Sequence, residues 1–78
     1  MPTDPWALVR DELVVATHKF GPFASTHEGA AVIREEFDEL WDAVKANDIA
    51  QARREAVQVG AMAVRFLIDI EEEADNAD

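Results

Sequence analysis

The chain has 78 residues, no cysteine and a formal net charge of −10 at pH 7. A chain of this length forms one domain at most and buries only about 60% of the surface that its unfolded form exposes. Without disulfides or a Cys–His zinc cluster, the common remedy is self-association. The negative charge argues against binding to nucleic acid or to an anionic membrane surface. It does not exclude a phosphorylated small molecule, because a divalent cation can reverse the local charge.

The first helix is predicted at about residues 5–20. Asp4-Pro5 provides an N-cap followed by a proline at the first helical position, and Gly21-Pro22 ends the helix. The connector that follows carries Phe23, which we expect to pack against the bundle. The N-terminal segment lacks the basic run and apolar core of a signal peptide. With the absence of cysteine, this favours a cytoplasmic protein.

The second and third helices are predicted at about residues 26–46 and 49–73. Ser25 and Glu28 form a capping box before the second helix, and Asp48 with Gln51 repeats the pattern before the third. The turn between them, centred near Asn47, is very short, so the two helices should lie antiparallel and in contact. The acidic tail, residues 74–78, should fray.

Apolar residues recur along the second helix at spacings of three and four, which indicates one buried stripe. They are Ile33, Phe37, Leu40, Trp41 and Val44. In the third helix the predicted core stripe consists of Ile49, Ala52, Ala56, Val59, Gly60, Ala63, Leu67 and Ile70. The residues off this stripe are also largely apolar, and such a helix is usually buried on more than one side. The longest apolar stretch, 56–70, is too short and too interrupted to span a membrane.

These patterns predict an all-α single domain over residues 1–78, a three-helix bundle completed by self-association. Arg65 lies opposite the predicted core stripe of the third helix. It could pair with Asp69 across a subunit interface or extend to solvent. The aromatic residues could stack on a nucleobase, but core packing is the default interpretation at helical spacing. They are Trp6, Phe20, Phe23 and Trp41.

A group of carboxylates lies on the second and third helices. Glu36 and Glu39 are neighbours on one helix surface, and Glu36 borders the apolar stripe, whereas Glu35 points nearly opposite to it. Glu55 and Gln58 lie as far beyond the turn as Glu36 and Glu39 lie before it, about 14 Å, so the two pairs should face each other. Hard oxygen ligands without His or Cys suit magnesium or manganese. The alternative interpretation is an ordinary solvated face, the usual environment of charged residues.

The segment Glu35-Glu36-Phe37-Asp38-Glu39 resembles the EExxE element of the MazG-like, all-α nucleoside triphosphate pyrophosphohydrolases. The family's second element, ExxD, corresponds here to Glu55-Ala56-Val57-Gln58, with Gln58 where an Asp is expected. The resemblance covers the second and third helices, about half of the chain. The segment from His27-Glu28-Gly29 to Val59-Gly60-Ala61-Met62 also looks like a compact MazG-like subgroup.

This resemblance implies hydrolysis of a nucleoside triphosphate to the monophosphate and pyrophosphate, with Mg²⁺ as the cofactor and Mn²⁺ as an alternative. It implies a dimer or tetramer in which helices of two subunits surround each site. Carried over, the metal ligands are Glu36, Glu39, Glu55 and Gln58, and Glu36 and Glu39 are also the catalytic residues. Glu35 would be an auxiliary carboxylate. Mg²⁺ neutralises triphosphate oxygens and lowers the pKa of a bound water, and a carboxylate not saturated by metal acts as the general base.

Two other hypotheses stay open at this point. The same fold could hold metal or nucleotide with weak or no hydrolysis, and the neutral amide of Gln58 favours this, because it contributes no charge to metal binding. Alternatively, the chain could be a purely structural oligomeric interaction protein whose acidic faces only confer solubility.

Overall fold

Three α-helices make up the fold: α1 (Pro5–Lys19), α2 (Thr26–Lys45) and α3 (Ile49–Asp69). The computed structural model describes residues 4–72. The predicted all-α, three-helix class is confirmed. All three predicted helix starts are correct, and the ends of α1 and α2 lie within one residue of those predicted. Between residues 4 and 72, no helix combines the length and the apolar character that crossing a membrane requires.

Each helix begins at the capping residue that the sequence indicates. The side chains of Asp4 and Asp48 accept hydrogen bonds from backbone N–H groups in the first turns of α1 and α3, at 2.9 and 3.0 Å. At α2, Ser25 Oγ accepts from the N–H of Glu28 at 3.1 Å. The Glu28 carboxylate accepts from the N–H of Ala24 at 2.7 Å, one residue earlier than in the usual capping box. These bonds satisfy donors that a helix start leaves unpaired.

The turn between α2 and α3 is closed by a left-handed residue. Asn47 has φ of 58°, and its N–H donates to the carbonyl of Val44 at 3.1 Å. The N–H of Asp48 donates to the carbonyl of Ala43 at 3.0 Å. This pair of bonds is the Schellman motif, in which asparagine is tolerated at the left-handed position. The turn reverses the chain within three residues and sets α2 and α3 side by side.

Helix α3 ends at Asp69, four residues before the predicted end. Ile70 has extended backbone angles, φ −103° and ψ 107°, although its N–H still donates to the carbonyl of Phe66 at 2.9 Å. Residues 71–73 are all glutamate, and negative charge is unfavourable at a helix C-terminus because the carbonyl end of the helix dipole is itself negative. The predicted frayed tail, 74–78, lies outside the described residues.

Helix α3 is the central element of the bundle. It packs against both α1 and α2, whereas α1 and α2 do not pack against each other within residues 4–72. The core joins Ala16 of α1, Phe23 of the connector and Ala61 and Met62 of α3. The expected packing of Phe23 against the bundle is therefore confirmed. The separation of α1 from α2 leaves a cleft whose floor is α3.

The predicted core stripe of α3 is wrong in direction. The buried residues are Ala61, Met62 and Arg65, whereas Ile49 and Leu67, both assigned to the stripe, are 69% and 77% exposed. Hydrophobicity alone cannot mark the inward face of a helix that is apolar most of the way round. That face is decided by where α1 and α2 pack, which the periodicity of α3 does not contain.

An apolar groove remains open on the outer side of the α2–α3 pair. Phe37 of α2 is 49% exposed and Leu67 of α3 is 77% exposed. The side chains that line this apolar groove are Ala30, Ile33, Arg34, Phe37, Val59, Ala63, Phe66 and Leu67. The described chain therefore leaves one side of α3 uncovered. The predicted self-association, dimer or tetramer, stays a prediction.

Candidate metal site and acidic cleft

The inward face of α2 includes a carboxylate. Gly29 and Ala43 are buried, and Ile33 and Leu40 are partly buried, at positions separated by three or four residues. Glu36 occupies the same repeat between Ile33 and Leu40 and is partly buried as well. Because helical geometry places these positions on one side, the fold carries Glu36 inward.

Three glutamates of α2 form a compact cluster. One carboxylate oxygen from each of Glu35, Glu36 and Glu39 lies within 4.8 Å of the other two. The predicted pair, Glu36 and Glu39, is thus brought together. Glu35 was expected to point nearly opposite to the core, yet its carboxylate reaches the same point, because residues 35 and 39 are one turn apart. The carboxylate cluster, Glu35, Glu36 and Glu39, could hold a metal ion.

Burial and the surrounding negative charges both act on the carboxylate of Glu36. Its pKa is raised above the ordinary value, first by burial and then by the negative charges of Glu39, Glu55, Glu35 and Glu12. Burial and like charges both disfavour the ionised carboxylate. Glu55 on α3 and Glu12 on α1 are therefore close enough to act on Glu36. Three helices direct negative charge at one side chain.

Glu55 and Gln58 lie near the carboxylate cluster without joining its compact trio. Glu55 is partly buried, and its Oε2 accepts a hydrogen bond from Nε2 of Gln51 at 2.5 Å. Gln58 lines the same cleft as Glu36. Glu55 acts on Glu36 from across the hairpin, as the predicted arrangement requires. Among the described residues, the one group of three acidic side chains with oxygens within 4.8 Å of one another is Glu35, Glu36 and Glu39, without Glu55.

Glu12 is a site residue that the sequence did not indicate. It lies on α1, belongs to no motif and acts on Glu36 across the cleft. One signal was available: Glu12 is one helical turn before Ala16, so it borders the face of α1 that reaches the core. Its approach to α2, however, depends on how the connector returns the chain, which no local pattern specifies.

The carboxylate cluster opens into a cleft of about 640 Å³ between α1, α2, α3 and the connector. This volume lies in the range of small-molecule sites. Its lining includes acidic, basic and aromatic side chains. The acidic ones are Glu12, Glu28, Glu35 and Glu36, and the basic and aromatic ones are Lys19, Phe20, Phe23 and Arg65. We call this space the acidic cleft.

A buried arginine fixes the connector to α3. Arg65 is 4% exposed, and its guanidinium lies 4.2 Å from the centre of the Phe23 ring. It donates to the carbonyl of Gly21, and its Nε lies 3.7 Å from Oδ2 of Asp69. The N–H of Phe23 donates to the same Oδ2 at 2.9 Å. Arg65 neither extends to solvent nor needs a second subunit for this pairing; it forms an ion pair within the chain.

No protein-family model, curated protein or solved structure matches this chain. The MazG-like resemblance therefore depends on the EExxE and ExxQ segments of the chain itself, and it stays a prediction.

Proposed function

We propose that this chain is a magnesium-dependent nucleoside triphosphate pyrophosphohydrolase, which converts a nucleoside triphosphate and water to the monophosphate and pyrophosphate. The observation that carries the proposal is the carboxylate cluster: three carboxylate oxygens within 4.8 Å of one another, two of its residues lining a cleft of about 640 Å³. The order and spacing of the two acidic segments, which resemble those of the MazG-like family, support the same activity.

The residues present fit a hard divalent cation. The carboxylates of Glu35, Glu36 and Glu39 are the oxygen ligands that Mg²⁺ and Mn²⁺ prefer. The pKa of Glu36 is raised first by burial and then by the negative charges of the surrounding glutamates, and a bound cation would favour its ionised form. The amide oxygen of Gln58 can add a neutral ligand. When bound, Mg²⁺ supplies positive charge toward the triphosphate and activates water for attack.

The chain's own groups have separate tasks in this proposal. Glu36 and Glu39 hold the cation, and Glu35 lies beside them as the auxiliary carboxylate. Glu55, held by Gln51, presents a further carboxylate from α3. A carboxylate that does not bind metal accepts the proton of the attacking water, whose oxygen forms a bond to the α-phosphorus. The bond from the α-phosphorus to the bridging oxygen breaks, and pyrophosphate leaves with that oxygen.

The test is pyrophosphate release from a panel of ribo- and deoxynucleoside triphosphates, with and without magnesium. We expect magnesium-dependent release that is lost in Glu36→Gln and in Glu39→Gln. Asp11→Asn, at an exposed position of α1, is the matched control, because it removes the same charge outside the cleft. No release from any substrate, or full activity in both glutamine variants, would remove the proposed site.

A second candidate, a binding module that holds metal or nucleotide with little hydrolysis, is favoured by one observation. Gln58, which lines the cleft with Glu36, is neutral where the family pattern has an aspartate. A neutral ligand draws a cation less strongly than a carboxylate does. If Gln58→Asp increases turnover, the chain is a weakened enzyme. If the wild type binds nucleotide and Gln58→Asp still releases no pyrophosphate, the binding module is the better description.

The proposal includes self-association through the apolar groove. Phe37 and Leu67 are large, apolar and about half or more exposed, and no large side chain of the described residues is fully buried. An open apolar face of this kind on so small a domain supports the proposal of an association site. Sedimentation at micromolar concentration tests it. A well-folded monomer would contradict self-association. An oligomer whose Tm does not change when magnesium is added would favour a purely structural protein.

A further inference from the structure

The acidic cleft has two chemically different ends, and α1 connects them. Glu12 and Lys19 both line the cleft, with Val15 and Ala16 between them on the same side of the helix. Seven residues of helix separate Glu12 from Lys19, about 10 Å along the axis. The Glu12 end acts on Glu36, and the Lys19 end carries positive charge and an aromatic ring. A ligand that fills the cleft therefore meets the carboxylate cluster near Glu12, and near the connector it meets Lys19 and Phe20, with Glu28 as the acidic residue on that side.

Of the two aromatic rings that line the acidic cleft, Phe20 is the one that the core does not use. Phe23 is buried in the core, whereas Phe20 is 59% exposed and lines the cleft. The Nζ of Lys19 lies 5.8 Å from the centre of the Phe20 ring, within the range of a cation–π contact. An exposed ring at the mouth of a cleft, beside a cation, is the surface on which flat heteroaromatic rings stack.

The backbone directly after Phe20 is held by side chains of α3. The residue that follows it, Gly21, accepts a hydrogen bond from buried Arg65 through its carbonyl. Two residues further on, the N–H of Phe23 donates to Asp69, which also pairs with Arg65. The connector is therefore tied down directly after Phe20. A backbone segment held in place before the ligand arrives loses little entropy on binding.

We propose that Phe20 is the stacking surface for the nucleobase, with Lys19 at its edge, so that the nucleotide lies along α1 with its phosphates at the carboxylate cluster. The proposal rests on the proposed function, since it assumes a nucleotide ligand. Stacking accepts every base, because each has a flat π face, so the preferred ligand class is nucleoside triphosphates over base-free polyphosphates. Phe20 is a binding residue here and takes no part in the proton transfer.

The test compares two ligands in the presence of magnesium: a nucleoside triphosphate analogue with a methylene bridge between the α- and β-phosphates, and inorganic tripolyphosphate. Calorimetry gives the dissociation constant of each for wild type, Phe20→Leu and Phe20→Trp. We expect Phe20→Leu to weaken the analogue by about tenfold or more, as the loss of one stacked base does, and to leave tripolyphosphate unchanged. Phe20→Trp should retain analogue binding, because it keeps a flat π face.

The outcomes separate this proposal from the proposed function. Equal analogue affinity in wild type and Phe20→Leu overturns the stacking, and so does an equal loss for both ligands, whatever the enzyme activity. A Phe20-dependent preference for the analogue without pyrophosphate release from any nucleotide supports the stacking and contradicts hydrolysis. Binding of neither ligand by folded wild-type protein overturns the stacking proposal, and pyrophosphate release then decides the proposed function by itself.

Discussion

Replacing Glu36 by glutamine should stabilise the protein at neutral pH while greatly reducing its response to magnesium. Burial and the charges of four nearby glutamates raise the pKa of Glu36 above its ordinary value of 4.5. The folded state therefore keeps this proton to a higher pH than the unfolded state does. Stability conferred by the protonated form is lost as the pH rises through the raised pKa, so the ionised side chain is destabilising at neutral pH.

The size of the effect follows from the surroundings of Glu36. A like-charge pair one helical turn apart, such as Glu36 with Glu39, is worth about 0.2–0.5 kcal/mol. Glu55 and Glu12 add tertiary repulsion, and partial burial adds a desolvation penalty. Together these give a gain of about 1 kcal/mol in the free energy of unfolding, which for a domain of this size raises Tm by about 4–8 °C.

Thermal unfolding followed by circular dichroism, at several pH values with and without magnesium, measures both effects. The advantage of Glu36→Gln over wild type should shrink as the pH falls toward 4.5. Magnesium should raise Tm of the wild type, because a ligand that binds only the folded state stabilises it, and should raise Tm of the variant much less. Asp11→Asn controls for the change in net charge. An equal gain in Asp11→Asn, or no gain in Glu36→Gln at neutral pH, would refute the reasoning.

The remaining predictions concern the fold and the apolar groove. Arg65→Met leaves the carboxylate of Asp69 without its charged partner and should lower the free energy of unfolding by about 3–5 kcal/mol, which urea denaturation would measure. Asn47→Gly should raise Tm, with a gain in the free energy of unfolding of up to about 1 kcal/mol, because glycine adopts positive φ without strain; Asn47→Ala should lower it by a similar amount. Leu67→Glu should shift the protein to a smaller species in sedimentation without unfolding it, because this side chain is exposed in the single chain. Gly29→Ala should lower the free energy of unfolding by about 1–3 kcal/mol in the same urea assay, since its Cβ would lie 2.6 Å from a ring carbon of the facing helix.

The sequence predicted the bounds of the helices well because caps and turns are determined by residues that are adjacent in the chain. Asp4, Ser25 and Asp48 each accept the hydrogen bonds that their positions imply, and Asn47 takes the left-handed conformation that closes the hairpin. The inward face of α3 was not predictable in the same way. Its apolar residues surround the helix, so its orientation is decided by contacts with α1 and α2 rather than by its own period.

The residues of the candidate site also divide into those that local patterns predict and those whose position depends on tertiary packing. The proximity of Glu36, Glu39 and Glu55 could be predicted because the turn between α2 and α3 is short. Residues that lie equally far from such a turn, one before it and one after it, face each other across the hairpin. Glu12 could not be predicted in this way, because its approach requires the path of the connector. The path of the connector depends on the ion pair between Arg65 and Asp69. The sequence pattern did not indicate that Arg65 is buried.

Glu36 is a charged residue at a position that both its place beside the apolar stripe and the fold turn inward. It occupies a position of the inward repeat of α2 where an apolar residue would pack, in a domain with a small core. Places where a sequence breaks its own packing rule are the expected sites of function. The effects of magnesium and of Glu36→Gln on stability are linked, because a cation that neutralises the carboxylate cluster would relieve the same repulsion that glutamine removes. Stabilisation by magnesium and stabilisation by Glu36→Gln should therefore not add. If they do add in full, the cation binds elsewhere, and Glu36 is an ordinary unfavourable charge rather than a ligand.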